Sequence, residues 1–329
     1  REEVVQSPCS VLGDDSLLLK YLNPHLVVIV TAASNEVADE EFSLRVKPKG
    51  AQKRKPAGVA QAGQESTSKA AEEDKPNLFV NIVDSVSGRV LYRASHTNAL
   101  LYPKPSVLVS ENWVFYTFTN SMTRKAELGV LSLHEGMIDK NSLTAFTSPE
   151  QSTSLSSLDA QENKPVVLAK TFVIPKAATA LGMTTSLGGI SGRRLLLAGL
   201  DGQITGIDRN ILEPRRPLGQ VKDTEKKEGL VQYHEIVPTL PFMVLSYNQT
   251  VESVSSLVTA TTHLESQTLV LAFGGPDIFF TRTSPSGGFD LLPDSFNRLL
   301  LSIVVAVLIG ALVVMQRMVS TKILKQGWV

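Results

Sequence analysis

Cysteine is almost missing from this sequence: Cys9 is the one thiol in 329 residues. No disulfide can form within these residues, so the fold must hold by its core alone. An excess of either charge is missing too. Lys plus Arg and Asp plus Glu number 32 each, which removes the basic field that nucleic-acid binders carry. The five histidines (His25, His96, His134, His234 and His263) make no HxH or HxxxH pair, so metal-ligand spacing is lacking. His134-Glu135 and His234-Glu235 are adjacent pairs, which point to opposite faces of an extended strand and suit neither metal binding nor acid–base work. There is no GxSxG nucleophile elbow and no phosphate-binding P-loop. Gly188-Gly189-Ile190-Ser191-Gly192 lacks the strand and helix flanks of a nucleotide site and reads as a loop. The sequence therefore offers no catalytic residue, no cofactor site and no metal site. It also starts at Arg1 without a charged-then-apolar leader. A body on the far side of a membrane needs one, so the expectation is that the natural N-terminal part lies outside these residues.

What the chain does contain is one long apolar run. Leu299 to Met315 reads LLLSIVVAVLIGALVVM, without a charge and with Ser302 as its clearly polar member. About 20 apolar residues span a bilayer core, so residues 299–316 are predicted to form a transmembrane helix. Arg317, Lys322 and Lys325 follow the run, whereas Arg298 alone precedes it, beside Asp290 and Asp294. The positive-inside rule puts residues 317–329 in the cytosol and everything before the span on the other side. Gly310-Ala311 offers a close-approach face to a neighbouring helix. Between residues 287 and 298, Phe289, Leu292 and Phe296 fall on one helical face opposite Asp290, Asp294 and Asn297. This reads as a short amphipathic segment at the membrane surface.

The remainder is patterned as strands. LLLKYL and LVVIVTA flank a turn at Asn23-Pro24 within residues 1–46. Residues 47–76, rich in Lys, Ala, Gly, Gln and Ser, hold too few large apolar residues to order themselves and read as a solvated loop. From 77 to 286 strands resume at Leu78–His96, Trp113–Asn120, Ala126–Gly136, Thr171–Pro175 and Arg194–Arg209. Further strand-like segments follow at Phe242–Val251, Leu257–Glu265, Thr268–Gly275 and Asp277–Pro285. Residues 138–165 read as a polar loop in which AFTSPEQ opens a short helix, and 213–235 as a charged surface loop. Val83-Asp84 to Gly88 and Leu200-Asp201-Gly202 share a plan of strand, acidic turn, glycine and strand. That is the habit of β-propeller blades, although the spacing is too irregular to count them. The predicted fold class is mainly β: a partial propeller, an amphipathic brace and one C-terminal transmembrane helix. Asn248-Gln249-Thr250 is an N-x-T acceptor, which makes Asn248 a glycosylation candidate.

These stretches carry a family likeness. LLLKYLNPHLVVIVT, VDSVSGRVLYRASH, SENWVFYTFTN, DRNILEPRRP, YNQTV, DIFFTRTSPSGGFDLLPDSF and the span ending in KILKQGW closely resemble the C-terminal part of the subunit 1 family of the endoplasmic reticulum membrane protein complex. The resemblance implies a type I subunit with lumenal propellers, a membrane brace and one anchor. It implies a scaffold in a complex that inserts tail-anchored proteins and the first spans of multipass proteins. The implied partners are the other subunits, client transmembrane segments and the lipid bilayer, with no nucleic acid and no enzymatic activity. By position, Asp294 and Arg317 are the membrane-edge charges and Phe289, Leu292 and Phe296 the brace. The alternative is a single-pass lumenal receptor or chaperone that binds cargo through a propeller face and uses the span as a tether.

Overall fold

The computed structural model describes residues 4–32, 76–100, 102–138, 164–292 and 296–327. The low-complexity tract up to residue 75, the AFTSPEQ stretch and Asp294 lie outside the described residues. The chain divides into two compact units, Arg1–Gly287 and Gly288–Val329.

Among its described residues the first unit has sixteen strands: β1 (Cys9–Val11), β2 (Leu17–Lys20), β3 (Leu26–Ala32), β4 (Pro76–Asp84), β5 (Val90–Thr97), β6 (Ala99–Leu100), β7 (Val107–Ser110), β8 (Trp113–Asn120), β9 (Ala126–Ile138), β10 (Val166–Ile174), β11 (Ala178–Met183), β12 (Arg194–Gly199), β13 (Ile204–Asp208), β14 (Ser256–Thr261), β15 (Thr268–Phe273) and β16 (Phe279–Thr283). They make four antiparallel sheets. The first is β3-β4-β5. The second has the meander β7-β8-β9-β10 as its spine, with β1-β2 added along β9 and β6 along β8. The third is β11-β12-β13 and the fourth β14-β15-β16.

The sheets stack face to face, and three apolar cores lie between them. Leu78, Val80 and Ile82 of the first sheet meet Val114, Tyr116, Phe118 and Leu133 of the second. Trp113, Phe115, Leu128 and Phe172 on the second sheet's other side meet Met183, Leu195, Leu197 and Ile207 of the third. Leu196, Ala198 and Ile204 then meet Leu257, Val270 and Ala272 of the fourth. This explains why β8 reads WVFYTFTN rather than alternating apolar with polar. Its even and odd positions each face a neighbouring sheet, and a strand covered on both faces carries apolar residues throughout. Leading strands of successive sheets touch, β7 against β11 and β11 against β14. Hydroxyls stitch them together. Ser106 Oγ donates to the Thr179 carbonyl at 2.7 Å, and Thr179 Oγ1 donates to the Val254 carbonyl at 2.7 Å. Sequential meanders packed through their faces, with leading strands side by side, form a run of β-propeller blades. Gly129 sits opposite Tyr116 across the β8–β9 ladder, where a Cβ would lie 2.1 Å from the tyrosine ring, so only glycine fits.

β2 and β3 flank the turn at Asn23-Pro24, as expected, but do not pair across it. β2 joins β1 and β9, while β3 joins β4, because the turn passes the chain from one sheet to the next. Phe242–Val251 is not a strand. Pro241–Met243 is a 3₁₀ turn, Tyr247 has φ +52°, and Val244 alone bridges to Thr205. Pro241 opens that 3₁₀ turn at its first position, where its fixed φ suits a helical start. Finally, 213–235 is more than a solvated loop: it holds the short helix α1 (Asp223–Lys227) and buries Arg216. That guanidinium donates to the carbonyls of Ile211, Val231 and Gln232, tying the segment shut.

In the second unit, residues 288–291 form turns and bends, and the helix α2 runs from Arg298 to Gln326.

Candidate functional site

α2 is the feature with an evident task. Asn297 caps its start, with Oδ1 accepting from the Leu300 N–H at 3.1 Å, and Gly327 closes its end on the Ile323 carbonyl at 3.0 Å. The polar side chains inside it satisfy themselves. Ser302 Oγ donates to the Arg298 carbonyl at 3.0 Å, Ser320 Oγ to that of Arg317 at 2.9 Å, and Thr321 Oγ1 to the same Arg317 carbonyl. An 18-residue window within Arg298–Ile323 has a mean hydropathy of 2.8, and none of it is buried. Leaving a Leu, Ile or Val side chain in water forgoes about 1.5–3 kcal/mol. Over the dozen and more such residues of α2, that exceeds the roughly 5–15 kcal/mol by which whole domains are stable. Water is therefore not the solvent for which this helix is made.

Those 26 residues span about 39 Å at roughly 1.5 Å per residue, against about 30 Å of hydrocarbon, which leaves room for tilt. The helix does not stop at residue 316. Arg317 lies within it, and exposed Met318, Val319 and Ile323 follow. A Cβ at Gly310 would meet nothing within 4 Å. Phe289 and Leu292 are exposed.

In the first unit, Asn248 sits in an exposed turn beside Tyr247, and the Gln249 N–H donates to the Ser246 carbonyl at 2.9 Å. The turn is pinned on both sides, by Leu245 N to Ile204 O at 2.7 Å and by Val251 N to Gly202 O at 2.8 Å, and residues 247–250 are exposed between these anchors.

The densest polar cluster is one that sequence reasoning passed over. Glu111, in the β7–β8 turn with φ +51°, has a wholly buried carboxylate. Its oxygens lie 3.2 Å from Lys20 Nζ, 3.1 Å from Arg193 and 3.2 Å from Arg209, and accept the Gln6 N–H at 2.7 Å. Burial pushes this carboxyl up, but the Gln6 N–H and the three cations outweigh it and hold it below the usual range. Burial pulls Lys20 down against the opposing pull of Glu111. Arg193 also donates to Ser110 Oγ at 2.6 Å, and Arg209 lies over the Trp113 ring. The cluster joins the N-terminal segment, the second sheet and the third. It is a clamp that holds these elements together. Ser110-Glu111-Asn112 looks in sequence like an ordinary polar turn between two apolar strands. The one available signal was its place inside SENWVFYTF, a stretch that carries the family resemblance.

The glycine-rich loop is filled by the protein itself. The Glu265 carboxylate accepts from the N–H groups of Gly188 at 2.6 Å, Ile190 at 2.7 Å and Ser191 at 3.3 Å. His134 is buried in β9, with Nε2 3.2 Å from Ser132 Oγ. Among the described residues no three His, Cys, Asp or Glu gather as metal ligands. A cleft lined by Pro103, Thr117, Phe118, Thr119, Ala177 and Ala178 holds about 160 Å³, below the ~300–1,000 Å³ of small-molecule sites.

Similar proteins give the arrangement a family. The chain is 30% identical over 326 residues to ER membrane protein complex subunit 1 of Xenopus laevis, covering 99% of this chain and 28% of that protein. To the Schizosaccharomyces pombe protein of the same name it is 26% identical over 332 residues, covering 99% and 31% respectively. To that of Saccharomyces cerevisiae it is 26% identical over 264 residues, covering 78% and 34%. The chain thus spans about a third or less of these relatives. Residues 1–286 match the family described as ER membrane protein complex subunit 1, second beta-propeller. With its stacked blades and apolar C-terminal helix, the chain belongs to the ER membrane protein complex subunit 1 family.

Proposed function

We propose that this chain is the membrane-anchored scaffold portion of a subunit of an ER membrane insertase, which passes tail-anchored proteins and first spans of multipass proteins into the bilayer. The observation that carries the reading is α2: a self-satisfied, wholly exposed apolar helix in a chain whose other unit is a stack of blades. α2 crosses the ER membrane. The asymmetry of Arg317, Lys322 and Lys325 against Arg298 supports a lumenal body and a cytosolic tail. Phe289, Leu292 and Phe296 rest at the lumenal surface, Asp294 and Arg317 mark the two edges, and Asn248 carries a glycan on its exposed turn. The blades contact the other subunits, while lipid and client segments meet the span. The mechanism is physical rather than covalent. A rigid lumenal mass held against the membrane supports a polar, thinned route, which lowers the several kcal/mol that each unsatisfied backbone group costs in lipid.

The test is Arg317→Glu in the full-length protein within its complex. Insertion of a tail-anchored client into microsomes should fall several-fold while co-purification of the other subunits is unchanged. Unchanged insertion with an intact complex sinks the edge-charge role.

A further inference from the structure

The loop between β11 and β12, Thr184 to Gly192, reads TTSLGGISG and holds no charged residue. A surface loop ordinarily relies on water to satisfy its backbone. This one relies on Glu265, in the β14–β15 turn, whose carboxylate takes the N–H groups of Gly188, Ile190 and Ser191. The Ser191 hydroxyl adds a bond to the Glu265 carbonyl at 2.7 Å. What the tip turns outward is apolar: Leu187 is 57% exposed and Ile190 76%. Val4 and Val5, also exposed, continue the patch, since a Cβ at Gly189 would lie 3.2 Å from Val4 Cγ1 and 3.4 Å from the Val5 carbonyl oxygen.

The same loop holds the point where the chain leaves the first unit. The Gly192 N–H donates to Ser286 Oγ at 2.7 Å, and Arg194, at the start of β12, donates to the Pro285 carbonyl at 3.3 Å. Residues 288–297 then lead to α2, and a leash of that length reaches about 35 Å at most.

We infer that the β11–β12 loop is a second membrane contact, with Leu187 and Ile190 seated in the headgroup layer of the lumenal leaflet. This rests on the reading of α2 as an ER membrane anchor. Three features select lipid as the occupant. The loop is fastened to the residues from which the anchor departs, so a short leash keeps it near the bilayer. Its donors at Gly188, Ile190 and Ser191 stay satisfied when water is withdrawn, which a low-dielectric medium demands. The absence of basic residues suits the lumenal side, because the anionic surface that polybasic segments serve belongs to the cytoplasmic leaflet. Leu and Ile side chains at such a tip enter the headgroup–acyl boundary as the apolar face of an interfacial helix does.

The experiment uses the full-length protein in its native complex in microsomes. Ile190 is replaced by the photoreactive amino acid p-benzoylphenylalanine, the membranes are irradiated, and adducts at residue 190 are identified by peptide mass spectrometry. Phospholipid adducts should exceed those at Lys226, replaced in the same way on the charged helix α1, at least about tenfold. Lipid adducts no more frequent than at Lys226 overturn the inference. So does a protein adduct as the main product, which makes the tip a contact with another subunit. Alkaline carbonate extraction of the same membranes tells this failure from failure of the anchor reading. A chain that stays in the pellet without lipid adducts at residue 190 loses the loop contact alone, whereas a chain released to the supernatant loses the anchor as well. If the Ile190 variant does not accumulate, the same replacement at Leu187 gives the same readout.

Discussion

β8 and α2 are both apolar and uncharged over long stretches, yet they end in opposite surroundings. In β8, Trp113 to Phe118 are buried on both faces. In α2, every apolar side chain with a described surface is exposed. Hydrophobicity alone does not say where a segment goes. The strand finds a sheet on each side because its neighbours in sequence are strands of the same kind. The helix finds none in its own unit, and a bilayer is the solvent that removes the cost. Phe115→Ala against Leu308→Ala tests the difference directly. The first opens a cavity in a packed core and should lower stability by about 3–5 kcal/mol. The second trims a lipid-facing side chain and should leave the propeller's melting temperature within a degree. Differential scanning calorimetry of the purified protein reads both, and equal losses would dissolve the distinction.

The next contrast is between charges. Arg317 sits on an exposed helix, where its long stem carries the head to water. Glu111 has no such route, and its charge is held by Lys20, Arg193 and Arg209. Glu111→Gln keeps the shape and an acceptor for the Gln6 N–H but gathers three cations without their shared carboxylate. Breaking a buried ion pair from one side costs about 3–5 kcal/mol, and the retained acceptor puts this variant near the low end. Denaturant unfolding should show it, with early proteolysis of the N-terminal segment that Glu111 holds. Wild-type resistance would reduce the cluster to ornament.

The two regions also differed in how much of them could be read beforehand. α2 was legible because a charge-free run is a property of consecutive residues. Strands β8, β9, β12 and β13 were legible too, since their apolar patterns are local and the β12–β13 turn carries Asp201 and Gly202. What stayed hidden was long-range. Nothing local says that β2 pairs with β9 across more than a hundred residues, or that Arg216, between two prolines in a charged stretch, turns inward to hold three carbonyls. Phe242–Val251 misled because its apolar content suits a strand, while Pro241 and the left-handed Tyr247 forbid one. The Glu111 clamp, gathered from separated segments, has no sequence signature beyond its place inside SENWVFYTF.

The smallest effect separates the regions by pH. α2 contains no histidine and no carboxylate, so it does not titrate between pH 4 and 7. The propeller does. His134 faces Lys20 on β2 and Val166 on β10, with Ser132 at 3.2 Å. Burial, reinforced by the positive fields of Arg215 and Lys20, brings its pKa down from 6.5 to about 4. Burial also lowers His96, whose Nε2 lies 2.7 Å from the Tyr116 hydroxyl. A histidine depressed in the folded state binds its proton more readily in the unfolded chain. Stability is then full above the unfolded value and is lost as pH falls from about 6.5 toward 4. The propeller's melting temperature should drop over that window. His134→Gln should flatten the drop, leaving the share that belongs to His96. Glu111 cannot mimic this, because its depressed carboxyl gives up stability only below the ordinary carboxylate range. If the slope between pH 6.5 and 4 is the same in wild type and His134→Gln, the buried imidazole is not what acid attacks, and the junction around β9 is less tightly closed than its packing implies.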